Sequence, residues 1–204
     1  YRTPITDKQN FTRGNLYLLH DLTEIHTYVK ELEHLASSDG LTSLLNHRHF
    51  MNLVDKKAKT LQELGFGKFS LIMFDLDNFK AINDTYGHRV GDTVLQQIGL
   101  IVSQQGTSDD LGARYGGEEF VILLDDTSTN QATTFAENLR SIIEQTIFTS
   151  DGNSLRVTAS FGVSTYSPKN TISWETTLNQ ADTALYMAKK AGRNNVKTFL
   201  LPPS

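Results

Sequence analysis

"GARYGGEEFVILL", residues 112–124, sets two glycines and two glutamates side by side and then runs directly into apolar residues. Adjacent glycines interrupt a strand or a helix unless the backbone turns there. Adjacent carboxylates repel each other unless positive charge is near. The stretch therefore reads as a β-hairpin, with its turn at Gly116–Gly117 and "FVILL" (residues 120–124) as its second, buried strand.

Upstream, "KFSLIMFDLD" (68–77) is a short apolar run of the kind a buried central strand shows. "FKAINDTYGHRVGD" (79–92) is polar, carries two glycines and reads as irregular until about Val90. "VGDTVLQQIGLIVSQQ" (90–105) is helical by the spacing of Val94, Leu95, Ile98 and Ile101. Downstream follow a helix, "NQATTFAENLRSIIEQ" (130–145), and a strand, "LRVTASFGVSTY" (155–166). A second helix, "TTLNQADTALYMAKKAG" (176–192), closes on glycine, and "NVKTFL" (195–200) is a last strand. Before the central strand, "HRHFMNLVDKKAKTLQEL" (47–64) is helical and "GFG" (65–67) ends it. From Lys68 the order is β, α, β-hairpin, α, β, α, β. A hairpin between two helical crossovers predicts an α+β fold, a central mixed β-sheet flanked by helices, near the ferredoxin-like "split βαβ" arrangement.

The 204 residues suffice for one sizeable domain with an appendage, and 38% apolar content is adequate for a core. Nineteen Lys and Arg against 23 Asp and Glu leave a formal charge of −4, so no broad basic surface points to nucleic acid. With no cysteine, disulfides and zinc–thiolate sites are excluded and a reducing cytoplasm suits the chain. No apolar run approaches the roughly 20 residues that span a bilayer, and no secretory signal is visible. A chain opening on Tyr1 instead of Met reads as a piece of a longer protein, whose other parts include, on this reading, any membrane attachment.

Leu18, Leu22, Ile25, Val29, Leu32 and Ala36 recur at alternating spacings of four and three, a heptad seam with Glu24, Lys30, Glu31 and Glu33 off it. Asp21 followed by Glu24 offers a capping box for a helix starting near residue 21. Such a helix either pairs with a second copy or packs on its own domain. "SSDGLTSLLN" (37–46) reads as the boundary beyond it.

Asp75 and Asp77 close the apolar strand and share one face, with Leu76 on the other and its backbone carbonyl still available. If the glycine hairpin lies beside that strand, Glu118 comes close to Asp75. Two carboxylates and a carbonyl form a hard-oxygen site suited to Mg²⁺, which shares its remaining positions with phosphate. A divalent ion would supply the positive charge that the paired glutamates lack, and glycines let a triphosphate pass close to the backbone. Taken singly, an Asp at a strand end is usually a turn former and paired glutamates a solvated edge. Asn83 and Asp92 have the groups to read a guanine edge, the Asp accepting from N1–H and N2–H₂. Their alternative is a turn at Asn83 and a helix cap at Asp92. Lys189 and Arg193, four apart, either grip terminal phosphates or sit against a helix C-terminal dipole.

Together "DGLTSLLNHRHF", "FDLDNFKAINDTYGHRVGD", "RYGGEEF", "VTASFGVS" and "ADTALYMAKKAGRNNV" resemble the GGDEF family, the diguanylate cyclases, in its GGEEF variant. The resemblance covers about residues 39–200 and implies a palm-type nucleotidyl cyclase core. It implies condensation of two GTP into cyclic di-GMP and two pyrophosphates, dependent on Mg²⁺ (two ions per GTP, Mn²⁺ as substitute). Asp75, the Leu76 carbonyl and Glu118 would hold the ions. Glu119 would complete the acidic cluster, aiding metal binding or deprotonation of the attacking 3′-hydroxyl, and the resemblance leaves open which glutamate is the base. Asn83 and Asp92 would read guanine, Asn78 and Phe79 would offer backbone N–H groups to phosphate, and Lys80, Lys189 and Arg193 would neutralise it.

One such domain holds one GTP, so the resemblance implies a homodimer, and the heptad helix (21–38) would serve as its stalk. "NLYLLHDLTEIHTYVKEL" (15–32) resembles the end of a PAS-type sensory domain, making residues 1–20 a remnant of an upstream sensor and 201–204 a tail. Relatives often carry an inhibitory product site, Arg-x-x-Asp, before the signature. Here the tetrad is "TSDD" (107–110), with Thr107 where Arg would stand. The alternative function is a non-catalytic domain binding GTP or cyclic di-GMP as receptor or scaffold.

Overall fold

A computed structural model describes residues 2–6, 8–9, 11–17, 37–150 and 152–199. The chain divides into two compact units, Tyr1–Ala36 and Ser37–Ser204. In the first, β1 (Arg2–Thr6) and β2 (Thr12–Tyr17) pair antiparallel, with Arg2 opposite Tyr17. The heptad positions from Leu18 to Ala36 lie outside the described residues, as does the tail.

The second unit follows in chain order as β3 (Leu45–Asn46), α1 (His47–Leu64), β4 (Phe69–Leu76), α2 (Phe79–Tyr86), α3 (His88–Gln105), β5 (Leu111–Arg114) and β6 (Glu119–Asp125). It continues with α4 (Thr129–Gln145), β7 (Phe148–Ser150), β8 (Asn153–Leu155), β9 (Ala159–Tyr166), α5 (Trp174–Lys190) and β10 (Val196–Thr198). Six strands form one sheet in the order β10-β9-β4-β6-β5-β3. β4 pairs antiparallel with both β6 and β9, whereas β3–β5 and β9–β10 are parallel, so the sheet is mixed as expected. Its inner strands β9-β4-β6-β5 stand in the order 4-1-3-2 of their succession, the ferredoxin-like order.

Every residue of β4 is buried, which explains its continuous apolar run. Alternate residues feed opposite cores. Phe69, Leu71 and Met73 join Val121 and Leu123 under Phe50, Val54 and Leu61 of α1 and Leu178, Ala181 and Leu185 of α5. Ile72, Phe74 and Leu76 join Phe120 and Ile122 under Phe79, Val94 and Ile98 of α2 and α3 and Leu139 of α4. Phe74 stacks between Phe120 and Phe161, at 5.0 and 4.9 Å, tying three strands just behind the end where the site forms.

Three expectations are corrected. Residues 79–92 are helical for most of their length, because Phe79 and Ile82 pack on the core and the polar residues form an exposed face. Only Gly87, at φ 85°, breaks the chain into α2 and α3. Residues 155–166 are not one strand, since Asn153–Leu155 folds back on Phe148–Ser150 as a separate hairpin. The last helix starts earlier than Thr176, at Trp174, because the Ser173 side chain accepts from the Thr176 N–H and caps it.

Candidate active site

Asp75 stands opposite Glu119 in the β4–β6 register, and the Leu76 N–H donates to the Glu118 carbonyl at 3.3 Å. Cross-strand partners share a face, so the direct neighbour of Asp75 is Glu119, with Glu118 one residue beyond, against Leu76. The third member is Lys189, whose Nζ lies 2.9 Å from Asp75 Oδ2. It reaches there because α5 packs against β9 at Gly162, where a Cβ would stand 2.0 Å from the Ala181 carbonyl oxygen.

The corner is charged against its own preference. Burial pushes the Asp75 carboxyl up; Lys189 opposes this and Asp77 adds to it. Burial likewise pushes up the Glu119 carboxyl, and the charges of Asp75, Asp182 and Glu118 add to the rise while Lys189 offsets part. Asp182, on the exposed face of α5, escaped the sequence reading, for nothing in "QADTALY" separates it from a solvated residue. Tyr115 belongs to the same environment, its hydroxyl raised by burial and by Asp182 and Glu119.

Two residues further, Asp77 behaves differently. Its oxygens accept from Ser160 Oγ and Thr158 Oγ1, both at 2.7 Å, and from the Asn194 N–H at 3.0 Å. Asn78 follows at φ 56° and leads into α2, whose first N–H groups have no intrahelical acceptor. Phe79 is buried, so its backbone is fixed while Lys80 stays exposed. Arg193, at φ 64° just past α5, is exposed as well.

Asn83 on α2 and Asp92 on α3 come together through Gly91. A Cβ there would stand 1.9 Å from Asn83 Oδ1, so the amide lies directly on the α3 backbone beside Asp92. Glycine inside a helix costs about 1 kcal/mol relative to alanine, and this contact is what it permits. Asp92 is exposed, and no side-chain hydrogen bond or ion pair of Asn83 or Asp92 occurs among the described residues. Neither is spent on a cap or a turn: α3 has no side-chain cap.

The turn falls at the paired glycines. Neither Gly116 nor Gly117 takes a positive φ. The turn closes through Tyr115 N–H to the Glu119 carbonyl at 2.8 Å, and Arg114 donates to the carbonyls of Gly116 and Gly117 at 3.2 and 2.7 Å. Arg114 also pairs with Asp39 at 3.3 Å. Burial alone would raise the Asp39 carboxyl, but hydrogen bonds from Thr42 and the Arg114 guanidinium outweigh it and hold it below the usual range. An open cleft of about 280 Å³ lies here, lined by Asp39, Asn46, His47, Arg114, Tyr115 and the two glycines. The signal for Arg114 was its place two residues before the GGEEF stretch.

At the "TSDD" turn Asp110 is fully engaged. One oxygen accepts from the Thr107 N–H and hydroxyl at 2.8 and 2.9 Å, and the other from the Asp125 N–H at 3.0 Å.

Among the described residues no group of three or more His, Cys, Asp and Glu side chains converges as a metal cluster. The donor chemistry nonetheless fits Mg²⁺, which takes few protein ligands and prefers hard oxygens. Asp75, Glu119 and Glu118 are carboxylates whose mutual repulsion a divalent ion would relieve.

A ferredoxin-like sheet whose central strand ends in a carboxylate facing a GG-E-E hairpin defines the class, and the chain belongs to the GGDEF family. The family described as "Diguanylate cyclase, GGDEF domain" matches residues 36–195. Diguanylate cyclase A of Treponema denticola is 39% identical over 168 residues, 81% of this chain and 45% of that protein. Diguanylate cyclase DgcM of Escherichia coli K12 is 37% identical over 182 residues, 89% of this chain and 43% of that protein. The chain thus spans less than half the length of these relatives. The coiled coil and GGDEF domain of DgcB from Caulobacter crescentus, solved in complex with c-di-GMP, superposes with a TM-score of 0.80 at 27% identity, over 87% of this chain and 93% of that one. Among the described residues no helix is long and apolar enough to cross a membrane.

Proposed function

We propose that this chain is the catalytic domain of a diguanylate cyclase, condensing two GTP into cyclic di-GMP and two pyrophosphates with Mg²⁺, across a homodimer. The observation that most supports the reading is the Asp75–Glu119 register, which sets those two carboxylates side by side near Lys189, with Glu118 the next residue along. Asp75, the Leu76 carbonyl and Glu118 would hold the ions, with Glu119 completing the set. When bound, Mg²⁺ supplies charge neutralisation at the phosphoryl oxygens.

The chain's own residues account for the rest. The N–H groups of Asn78 and Phe79 bind phosphate oxygens, and Lys80, Lys189 and Arg193 balance their charge. Asn83 and Asp92 orient guanine; against adenine Asp92 would lack its two donors, which rejects the wrong base. Glu118 or Glu119, the latter with its carboxyl raised by burial and by the charge of Asp75, takes the proton of the 3′-hydroxyl that attacks the α-phosphorus. The second hydroxyl comes from the GTP of a second copy, brought near by pairing of the heptad helix. Product inhibition through the 107–110 turn is weak or absent on this reading, because Thr107 has no guanidinium and Asp110 is tied to Thr107 and Asp125. GTP as substrate assigns the domain to the cytoplasm, downstream of a PAS-type sensor in the parent protein.

The test is incubation with GTP and Mg²⁺ over a range of protein concentrations, with chromatography for cyclic di-GMP and pyrophosphate. Both products are expected, with a rate per molecule that rises with concentration. GTP binding without turnover at every concentration contradicts the enzyme reading in favour of a receptor.

A further inference from the structure

Asp77 is a buried carboxylate, 7% exposed, that the catalytic reading leaves without a task. Its oxygens accept three hydrogen bonds, two of them on Oδ2, and among the described residues it forms no ion pair. One contact is of a different kind from the others. Thr158 and Ser160 belong to the neighbouring β9 side of the sheet, but the Asn194 N–H belongs to the loop after α5, 117 positions along the chain.

That loop is held in a costly conformation. Arg193 and Asn194 stand at φ 64° and 46°, both left-handed and neither glycine. L-residues adopt this region rarely, and two in succession persist only when the surroundings fix them. The fixing contacts are on the page. The Arg193 N–H donates to the Ala188 carbonyl at 3.2 Å, and the Asn195 amide donates to the carbonyls of Ala188 and Arg193 at 2.9 and 2.7 Å. The Asn194 side chain accepts from Arg140 and donates to Glu144, each at 2.8 Å. The Asn194 backbone itself is anchored by Asp77. By contrast, the Arg193 guanidinium makes no hydrogen bond or ion pair among the described residues. A backbone locked on every side thus presents a planar cation that makes no ion pair, its charge acting on Asp75 nearby.

We propose that Asp77 is a positioning residue for triphosphate recognition: it latches the Arg193 loop to the end of β4, fixing that guanidinium relative to the N–H groups of Asn78 and Phe79. Asp77 directly precedes Asn78, so one side chain ties together the two segments that face the phosphates. The inference rests on the phosphate role proposed above for Arg193.

The experiment measures Mg²⁺-dependent binding of two ligands by calorimetry: GTP with a methylene in place of its α,β-bridging oxygen, which is not turned over, and GMP. Arg193→Ala is expected to lower affinity for the triphosphate about tenfold and leave GMP unchanged, as loss of a charge-assisted contact to phosphate requires. Asp77→Ala is expected to do the same although it touches no phosphate. Asp77→Asn, whose amide oxygen still accepts from the Asn194 N–H while the Ser160 hydroxyl reverses, is expected to keep the ratio within about threefold of wild type. A general loss of structure would lower both affinities together and would overturn the latch. So would a ratio lost in Arg193→Ala but kept in Asp77→Ala. A ratio unchanged by Arg193→Ala defeats the phosphate role itself, and the latch with it. If Asp77→Ala does not fold, Asp77→Glu carries the test: the charge stays, but it stands a methylene too far out, so the ratio falls, and a wild-type ratio there overturns the proposal.

Discussion

Two corners at the end of β4 carry carboxylates two residues apart, and the chain treats them in opposite ways. At the Asp77 corner every oxygen meets a donor from the protein, and the group is a structural bolt. At the Asp75 corner two carboxylates, Asp75 and Glu119, share the charge of one ammonium, Lys189, and burial pushes both carboxyls up. Hydrogen-bond supply, not acidity or position, separates a carboxylate that holds the fold from the one proposed to bind a metal. Asp110, satisfied on both oxygens by Thr107 and Asp125, falls with Asp77.

The sharpest way to break the comparison is to neutralise each corner. Asp75→Asn and Glu118→Gln are expected to reduce cyclic di-GMP formation by about 10³-fold or more, as removal of preorganised charge stabilisation does. Asp75→Asn is expected to leave the melting temperature equal or higher, because it removes a charge the site resists burying. Asp77→Ala reverses the pattern: it strands two hydroxyls and an N–H, and a loss of about 2–4 kcal/mol is expected in urea unfolding. A drop in stability for Asp75→Asn as large as that for Asp77→Ala would erase the distinction.

At the base-reading end, Gly91→Ala pushes a methyl into Asn83 and is expected to weaken GTP and GMP binding equally, about tenfold, by loss of one oriented base contact. Equal loss on both ligands separates this site from the phosphate corner.

How much of this was legible beforehand differs between elements. The hairpin and the buried central strand follow from residues 68–124 alone, because apolar runs and adjacent glycines are local signals, and the mixed sheet follows from the element order from Lys68 on. Strand alternation places Asp75 and Asp77 on one face but carries no information about donors arriving from Thr158, Ser160 and Asn194, which are distant in sequence. The same limit hid Gly91, whose purpose is a contact with another helix, and Asp182, which acts by charge across α5. Residues 79–92 read as irregular because their composition is polar, while two apolar anchors, Phe79 and Ile82, were enough to make the first part helical. Gly116 and Gly117 mark the turn in the sequence, but Arg114, which donates to both of their carbonyls, is not legible there as its support.

Smaller effects sharpen the contrast. Metal affinity is expected to weaken as pH falls, with a midpoint above the ordinary carboxylate range, since Asp75 and Glu119 are raised and protons compete with Mg²⁺; Mn²⁺ titration at stepped pH measures it. Asp39 shows the opposite sign. Its carboxyl is lowered in the folded state, so its stabilisation is present above the unfolded value of about 3.9 and lost as pH falls through the folded one. The melting-temperature difference between wild type and Asp39→Asn, worth about 1 kcal/mol for a half-buried pair, should vanish in acid. Titrating cyclic di-GMP into the turnover assay should give no potent non-competitive inhibition, and finding it would mean that the Asp110 turn opens.

The central claim, that the Asp75 corner chelates magnesium beside a bound triphosphate, is tested most directly by Mn²⁺ electron paramagnetic resonance with the methylene-bridged GTP analogue present. The wild type and Asp77→Asn should bind the ion alike, and Asp75→Asn and Glu118→Gln should lose it. Wild-type metal binding in Asp75→Asn would contradict the account.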